Sequence, residues 1–333
     1  ADVVGALLAS SPFLYFLEHG SGAVDGAPGV QRLSAYELAS RLSYHFWDTM
    51  PDDALWEAAR SGALLTPERY RMEVRRIASD ARARAVLDRF YGEWMLLEEI
   101  PGLENLNADP AFKTFAGGDL PGAGLRDAMI DHAVELARHH TWVKPSSFDD
   151  FLMSPFAFPR SAALGRIYGL PTWDGTSEPP RFPADSRPGF LTRAAFLATG
   201  QVTTRPIIRG VLVRTKMLCD DIPPPPANAD AVTEEVLGQL PEATTTRART
   251  AAVTETSSPS CAACHEKLIN HIGYVLEGFD ALGRARSGEP IVRANGTIAA
   301  KLPVDTRAVP RIDAEDTRVA ATPAELVHLM LDS

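Results

Sequence analysis

Hydrophobic positions along the first half of the chain recur at the spacing of amphipathic helices. Ser34 and Glu37 form a capping box, and apolar residues follow it at helical spacing to about Trp47. Thr66 and Pro67 mark a second helix start, because proline is favoured at the first helical position. The same pattern predicts further helices over 83–97, 124–141, 207–218, 244–254 and 323–331.

No stretch alternates between apolar and polar residues for long enough to predict a sheet, so the fold class that we expect is mainly α. We predict a multi-helix domain over 1–188 and a helix with a poly-Pro connection over 189–227. Pro223 to Pro226 must be extended. Residues 228–259 are rich in Thr, Ala and Glu and predict a flexible linker, and 260–333 form a smaller, loop-rich α segment.

The composition of the chain excludes several classes of protein. With 333 residues, 45% of them hydrophobic, the chain can fill the core of one large or two ordinary domains. No apolar run is long enough to predict a membrane span. The 33 basic and 43 acidic residues give a net charge of -10, which argues against nucleic acid as a partner. Because the chain begins at Ala1 rather than Met, we expect a processed or trimmed protein.

The cysteines carry the most specific chemistry. There are three, Cys219, Cys261 and Cys264, and an odd count excludes a purely paired disulfide framework. Cys261-Ala-Ala-Cys264-His265 is the sequence that c-type haem attachment needs. Two thiols one helical turn apart reach the two vinyl groups, and the next residue offers its imidazole to the iron. We therefore predict one covalent haem c and a cytochrome c-like final segment.

Two other uses of these thiols stay open. A structural zinc site could combine Cys219, Cys261 and Cys264 with either His265 or His271. We rank zinc below haem, because a Pro-rich, flexible stretch separates Cys219 from the other two cysteines. A disulfide within the Cys-x-x-Cys pair ranks last, since the strand-loop-helix pattern of a redox motif is missing.

The sixth ligand of a haem iron decides between electron transfer and ligand binding. Met330 lies on the last predicted helix, after the attachment motif, in the order found in small cytochromes c. His271 is another candidate metal ligand, but it is too near the motif to reach the opposite haem face easily. Met217, His132 and His139 are weaker candidates, because such residues on apolar stripes are usually part of a core.

Arg284 and Arg286 follow Glu277 and Asp280 closely in the chain. A guanidinium group matches a carboxylate in two places, so these arginines are candidates to bind haem propionates. The alternative, at least as well supported, is an ion pair between Asp280 and an arginine that stabilises the turn around Gly283.

Several segments together are similar to the exported proteins of planctomycetes and myxobacteria that carry the domains of unknown function DUF1592, DUF1588 and DUF1585. The segments that resemble DUF1592 are Ser10-Ser-Pro-Phe-Leu-Tyr15, Leu33 to Tyr44, Trp47 and Met50-Pro-Asp-Asp53. Those that resemble DUF1588 are Gly189 to Leu197, Pro206 to Gly210, Leu218-Cys219, and Cys261 to His265 with Ile272-Gly273, Glu277, Phe279-Asp280, Gly283 and Arg284.

The resemblance implies an exported, periplasmic or extracellular protein whose Cys-x-x-Cys-His motif binds haem. The family usually has Asp-Pro where this chain has Asn270-His271, which places an extra imidazole near the motif. The family pattern also starts before Ala1 and continues past Ser333, where a DUF1585-like region would begin.

These observations lead to one expected function and two alternatives. We expect a c-type cytochrome-like protein that transfers electrons to a redox partner or within a larger assembly. The first alternative is a peroxidase-like or oxidase-like haem enzyme with an open sixth position. The second is an extracellular structural or interaction module stabilised by zinc or a disulfide.

Overall fold

The computed structural model describes residues 2–15, 17–224, 229–256 and 259–333. Contacts divide the chain into two compact units, Ala1–Arg89 and Phe90–Ser333. Helices dominate both units, and the described strands form only two small antiparallel pairs. The mainly α fold class is confirmed.

Two helices of the first unit begin at the predicted signals. Ser34 and Glu37 form both hydrogen bonds of a capping box, and Thr66 caps the helix that starts at Pro67. Trp47 is buried and donates its indole N–H to the carbonyl of Ile77, 2.9 Å away. The helices are α1 (Asp2–Leu8), α2 (Ser11–Leu14), α3 (Ala35–Trp47), α4 (Asp53–Arg60), α5 (Pro67–Ala78) and α6 (Ala81–Trp94), which runs into the second unit; β1 (Gly22–Ala23) pairs with β2 (Gln31–Arg32).

The second unit contains eleven further helices in its described residues and one hairpin. Many of its helices are short, and irregular segments connect them. The helices are α7 (Pro110–Ala116), α8 (Leu125–Arg138), α9 (Phe148–Leu152), α10 (Ala162–Tyr168), α11 (Ala194–Leu197), α12 (Pro206–Leu212), α13 (Ala229–Gln239), α14 (Thr246–Ala251), α15 (Pro259–Cys264), α16 (Asn270–Val275) and α17 (Pro323–Leu331); the strands are β3 (Gly288–Val292) and β4 (Ile298–Pro303).

Four helical segments of this unit contain a π turn, in which a backbone N–H bonds five residues back and one extra residue enters the turn. The π turns are His139–Val143, Val213–Met217, Ala252–Thr256 and His265–Ile269. The first two continue α8 and α12, so these helical segments extend close to the predicted limits of 141 and 218.

The apolar stripe predicted for α8 faces the main core of the second unit. Leu125, Met129 and Leu136 are buried there together with His132, and His139 is buried one turn further along. Helix α17 begins at a further capping box, made by Thr322 and Glu325, and its apolar face joins the same core.

Helices α12 and α16 approach each other through glycines. A Cβ atom on Gly210 would lie 2.1 Å from the carbonyl oxygen of Ile269. A Cβ atom on Gly273 would lie 2.0 Å from the carbonyl oxygen of Pro206. Contacts this short exclude any side chain at either glycine, so the two backbones pack directly.

The absence of a sheet was predicted wrongly for the end of the chain. Strand β3 pairs with β4 in antiparallel register, from Gly288 opposite Pro303 to Val292 opposite Ile298. The turn contains Asn295 and Gly296, and Gly296 has φ of +84°. Asn-Gly between two short strands is a strong hairpin signal. The strands are too short to show a long alternation, so this turn was the usable signal.

The described part of the segment predicted as a flexible linker is largely helical, and its helix α14 lies within the helix predicted over 244–254. It contains α13, α14 and the π turn that follows α14. Thr246 explains the difference, because its backbone N–H and hydroxyl donate to the buried carboxylate of Glu289 on β3. Residues 221–224 have no helix or strand, while Pro225, Pro226 and the boundary at 227 lie outside the described residues.

Within the described ranges, no helix combines the length and the apolar character that crossing a membrane requires.

Candidate functional site

The two cysteines of the attachment motif lie on one short helix. Cys261 and Cys264 are on α15, and residues three apart on a helix share a face. Both thiols are free and partly buried. His265 follows directly, is also partly buried and begins a π turn. The structure therefore keeps the three residues of the motif together on continuous helical backbone.

The π turn brings the side chains of His265 and Asn270 together. In a regular α-helix, residues five apart point about 140° away from each other. The wider turn bonds the N–H of Asn270 to the carbonyl of His265 and places both residues on one side. Nδ1 of His265 lies 3.2 Å from Oδ1 of Asn270.

Asn270 is fully buried and held by a polar cluster, which we define as Thr254, Glu255, Asn270 and Tyr274. Nδ2 of Asn270 donates to Oγ1 of Thr254 and to Oε1 of Glu255, each 2.8 Å away. It also lies 3.2 Å from the hydroxyl of Tyr274, which donates to the same Glu255 oxygen at 2.7 Å. Both the oxygen and the NH₂ group of the amide therefore have hydrogen-bond partners.

Tyr274 strengthens the cluster as a permanent donor. Burial, followed by the hydrogen bond to Glu255, raises the pKa of Tyr274. The guanidinium of Arg247 covers its ring at 4.6 Å and donates to the carbonyls of Asp305 and Arg307. The hydroxyl of Tyr274 therefore stays protonated and donates a hydrogen bond to the Glu255 carboxylate.

These residues fit a covalently attached haem. The two thiols are free to react, and they share a helix face at the required spacing. The imidazole of His265 is anchored through Nδ1, and Nε2 makes no hydrogen bond to the described part of the chain. Metal-bound histidines characteristically bond one ring nitrogen to an outer partner in this way.

The zinc alternative is not assembled. Among the described residues, no three His, Cys, Asp or Glu side chains are grouped so that they could hold a metal ion. Cys219 is exposed, in a left-handed backbone conformation with φ of +58°. His271 donates from Nδ1 to the carbonyl oxygen of Val309, 2.8 Å away, and belongs to no such group of three in the described part of the chain. The four-ligand set built on Cys219 is therefore not brought together among the described residues, and zinc binding stays a prediction.

Arg284 takes part in the ion pair that we gave as its alternative role. Its Nε lies 2.7 Å from Oδ2 of Asp280, whose other oxygen accepts the backbone N–H of Leu282 and of Arg284 itself. Nη1 also reaches Asp119 at 3.1 Å. Gly283, with φ of +84°, completes the turn. The guanidinium group is committed to chain carboxylates rather than directed to a ligand.

Arg286 belongs to a second buried ionic group, which it forms with Arg209, Glu277 and Thr204. Nη2 of Arg286 lies 2.8 Å from one Glu277 oxygen, and Thr204 donates to the same oxygen at 2.7 Å. Nη1 of Arg209 reaches the other oxygen at 3.3 Å. Burial raises the pKa of Glu277 although both arginines lower it, and burial lowers the pKa of Arg209 to about 10. This arrangement joins α12 to the segment after α16 and gives no support to propionate binding by Arg286.

The candidates for the sixth ligand lie in or against the apolar core. Met330 is 8% exposed on α17, and Met217 packs against the same core. His132 and His139 contact the ring of Phe158, at 5.9 and 5.4 Å between ring centroids. All four positions suit core residues, and the assignment of Met330 to the iron stays a prediction.

Asn270 is the site residue whose role the sequence left unrecognised. Its position five residues after His265 argues against contact in an α-helix. The only signal in the sequence was the departure at Asn270-His271 from the Asp-Pro that the family resemblance implies.

Comparison with protein families matches most of the chain to two models. Residues 33–170 match PSD4, a protein of unknown function (DUF1592), and residues 187–289 match PSCyt3, a protein of unknown function (DUF1588). Both predicted resemblances are confirmed, whereas the DUF1585-like region stays a prediction. The second match includes the Cys-x-x-Cys-His motif and the polar cluster. No curated protein and no solved structure matches the chain.

Proposed function

We propose that this chain is an exported c-type cytochrome-like protein that carries one covalent haem for electron transfer. The observation that supports the proposal is the arrangement of two free thiols on one face of α15, followed directly by an imidazole anchored through Nδ1. Cys261 and Cys264 would hold the haem, and His265 would ligate its iron. A bound c-type haem supplies a one-electron iron couple.

The chain supplies attachment, orientation and a protected environment. Each thiol adds across one vinyl group, and its proton goes to the neighbouring vinyl carbon, so no oxidant is consumed. Thr254, Asn270 and Tyr274 of the polar cluster are buried, so Nδ1 of His265 faces a side chain that is shielded from water. We place the protein in the periplasm or outside the cell, where bacterial haem attachment takes place, with a redox partner or further subunits as its electron acceptor or donor.

The deciding experiment is production of the full chain in a host with haem-ligation machinery, followed by an absorption spectrum and an intact-mass measurement. We expect the mass of the chain plus one haem and the spectrum of a thioether-linked haem. A colourless protein without added mass would refute the proposal.

Cysteine variants provide the matched control. Cys261→Ala combined with Cys264→Ala should abolish covalent attachment, whereas Cys219→Ala should retain it, because Cys219 is exposed and apart from the motif. Equal loss of covalent haem in the double variant and in Cys219→Ala would show that attachment does not depend on the motif.

The iron spectrum also separates electron transfer from ligand binding. For electron transfer we expect a low-spin spectrum that cyanide leaves unchanged. A high-spin spectrum that cyanide shifts would instead favour an enzyme with an open sixth position. Met330→Leu keeps the volume of the core nearly constant, so a spectral change in that variant would assign Met330 as the sixth ligand.

A further inference from the structure

We propose that Asn270 is a positioning residue that sets the proton of His265 on Nδ1 and presents the lone pair of Nε2 to the iron. This inference rests on the proposed haem attachment and extends it to a residue outside the Cys-x-x-Cys-His motif. It follows in three steps from the hydrogen bonds of the polar cluster.

The first step fixes which end of the Asn270 amide faces His265. The hydroxyl proton of Thr254 is donated to the carbonyl of Thr250 at 2.7 Å, so Oγ1 of Thr254 is left to accept. Glu255 accepts a hydrogen bond from the hydroxyl of Tyr274, and its carboxylate oxygens act only as acceptors. Both partners therefore require the NH₂ group of Asn270, and a flipped amide would place its oxygen against theirs. Oδ1 must point to His265.

The second step places the proton on the ring. Oδ1 of Asn270 is an acceptor only, so Nδ1 of His265 must donate across the 3.2 Å separation. In the neutral imidazole the lone pair is then on Nε2. In water the opposite tautomer is favoured, so the cluster reverses the intrinsic preference. A donor held at Nδ1 also makes the ring a stronger ligand.

The third step shows that this orientation is built into the backbone. Thr254 and Glu255 come from the π turn Ala252–Thr256, and His265 and Asn270 are joined by the π turn His265–Ile269. Arg214 holds the second turn by donating to the carbonyl of Leu268 at 2.8 Å. Because Asn270 is fully buried, the ring does not have to exchange this partner for water before it binds a metal.

The first test uses the full chain without haem. Nitrogen NMR at a pH above imidazole ionisation reports which ring nitrogen of His265 carries the proton. We expect Nδ1–H in the parent protein, and the Nε2–H form in Asn270→Leu, which removes the acceptor. Glu255→Gln should give a mixture, because the glutamine no longer dictates the amide orientation.

Controls separate this effect from general damage. Glu242→Gln changes an exposed ion pair with Arg293 and should leave the His265 signal unchanged. Circular dichroism identifies variants that fail to fold. If Asn270→Leu does not fold, the tautomer of His265 in Glu255→Gln decides the question, because this variant keeps the size of the side chain. The inference is overturned if the parent protein carries the proton on Nε2, or if folded Asn270→Leu and Glu255→Gln both retain Nδ1–H.

The second test uses the haem-loaded protein and its reduction potential. Asn270→Leu weakens donation by the imidazole and should raise the potential. Asn270→Asp combined with Glu255→Gln offers a stronger acceptor to Nδ1–H without setting two carboxylates against each other, and it should lower the potential while keeping the parent tautomer. If the two variants do not shift the reduction potential in opposite directions, a role of Asn270 toward the iron is refuted.

The two tests fail independently. If the parent chain never attaches haem, the proposed function is refuted and the role toward iron falls with it, although the NMR result still reports the tautomer. If haem attaches and the tautomer does not depend on Asn270, the proposed function stands and the positioning role is refuted.

Discussion

Gly273 on α16 lies against the backbone of Pro206 at the start of α12, and a Cβ atom on the glycine would be 2.0 Å from the Pro206 carbonyl oxygen. The contact matters for the site, because α16 begins at Asn270. The position of the polar cluster therefore depends on how closely two helices can approach through a residue without a side chain.

Gly273→Ala is expected to lower the free energy of unfolding by about 1–3 kcal/mol, because the added methyl group forces the helices apart. Urea denaturation followed by circular dichroism measures this change. Gly238→Ala is the matched control: Gly238 lies in α13 with nothing within 4 Å of a built Cβ. There alanine should be neutral or stabilising by up to about 1 kcal/mol, because it favours the helix. Equal effects in both variants would contradict the close-packing argument.

Glu277→Gln is expected to destabilise the protein by about 3 kcal/mol. The glutamine keeps the shape of the side chain but removes the buried negative charge between Arg209 and Arg286. Glu57→Gln, in the exposed pair with Arg60, should change the free energy of unfolding by less than about 1 kcal/mol. Chemical denaturation of both variants provides the comparison, and a change at Glu277 as small as that at Glu57 would contradict the prediction.

His132 is expected to make the protein less stable as the pH falls below about 6.5. Both of its ring nitrogens are buried without a hydrogen-bond partner, and burial, with Arg193 and Arg187 nearby, holds its pKa well below the ordinary 6.5. The unfolded chain takes up a proton in this range and the folded chain does not, so protonation favours unfolding.

Thermal unfolding between pH 7.5 and 5 measures this dependence. His132→Leu should reduce the pH dependence without abolishing it, because burial also lowers the pKa of His139 and lowers that of His140 to about 4. His328→Gln, at an exposed position on α17, should leave the profile unchanged. A profile unaffected by His132→Leu would show that this imidazole binds a proton as readily in the folded protein as in the unfolded chain.

Arg214→Met is expected to destabilise the second unit and to disturb His265 as well. The buried guanidinium donates to the carbonyls of Leu268, Pro310 and Ile312, which methionine cannot satisfy. Leaving buried carbonyls unpaired costs about 1–3 kcal/mol for each group. The His265 NMR signal should broaden or shift in this variant. An unchanged signal together with lost stability would show that Arg214 supports the fold but not the π turn.

Features of the fold that depend on local sequence were predictable. The capping boxes at Ser34 and Thr322 are complete within four residues, so the helices that they start could be placed from the sequence. Gly296 and Asn295 formed an equally local signal for the hairpin, but the strands on either side are short. Helix α14 lies within a predicted helix, but its anchoring to Glu289, more than forty residues away, could not be predicted.

The candidate site divides in the same way. The Cys-x-x-Cys-His motif and the Asp280–Arg284 pair lie within short stretches of sequence and could be identified there. The contact between His265 and Asn270 could not, because it requires a π turn, and no residue type reliably encodes one. The grouping of Arg209, Glu277 and Arg286 depends on how α12 packs and is equally invisible in the sequence.

The single extra residue in the turn His265–Ile269 has a consequence for the whole segment from Pro259 to Val275. Relative to a regular α-helix of the same residues, the π turn changes the direction of the residues that follow it by about 100°, the angle that one residue contributes to a helix. Winding the same residues as an uninterrupted α-helix would rotate the face that carries the thiols by about 100° relative to the face that carries Gly273. The two cysteines of the motif and the packing glycine keep their separate directions because the helix changes phase between them.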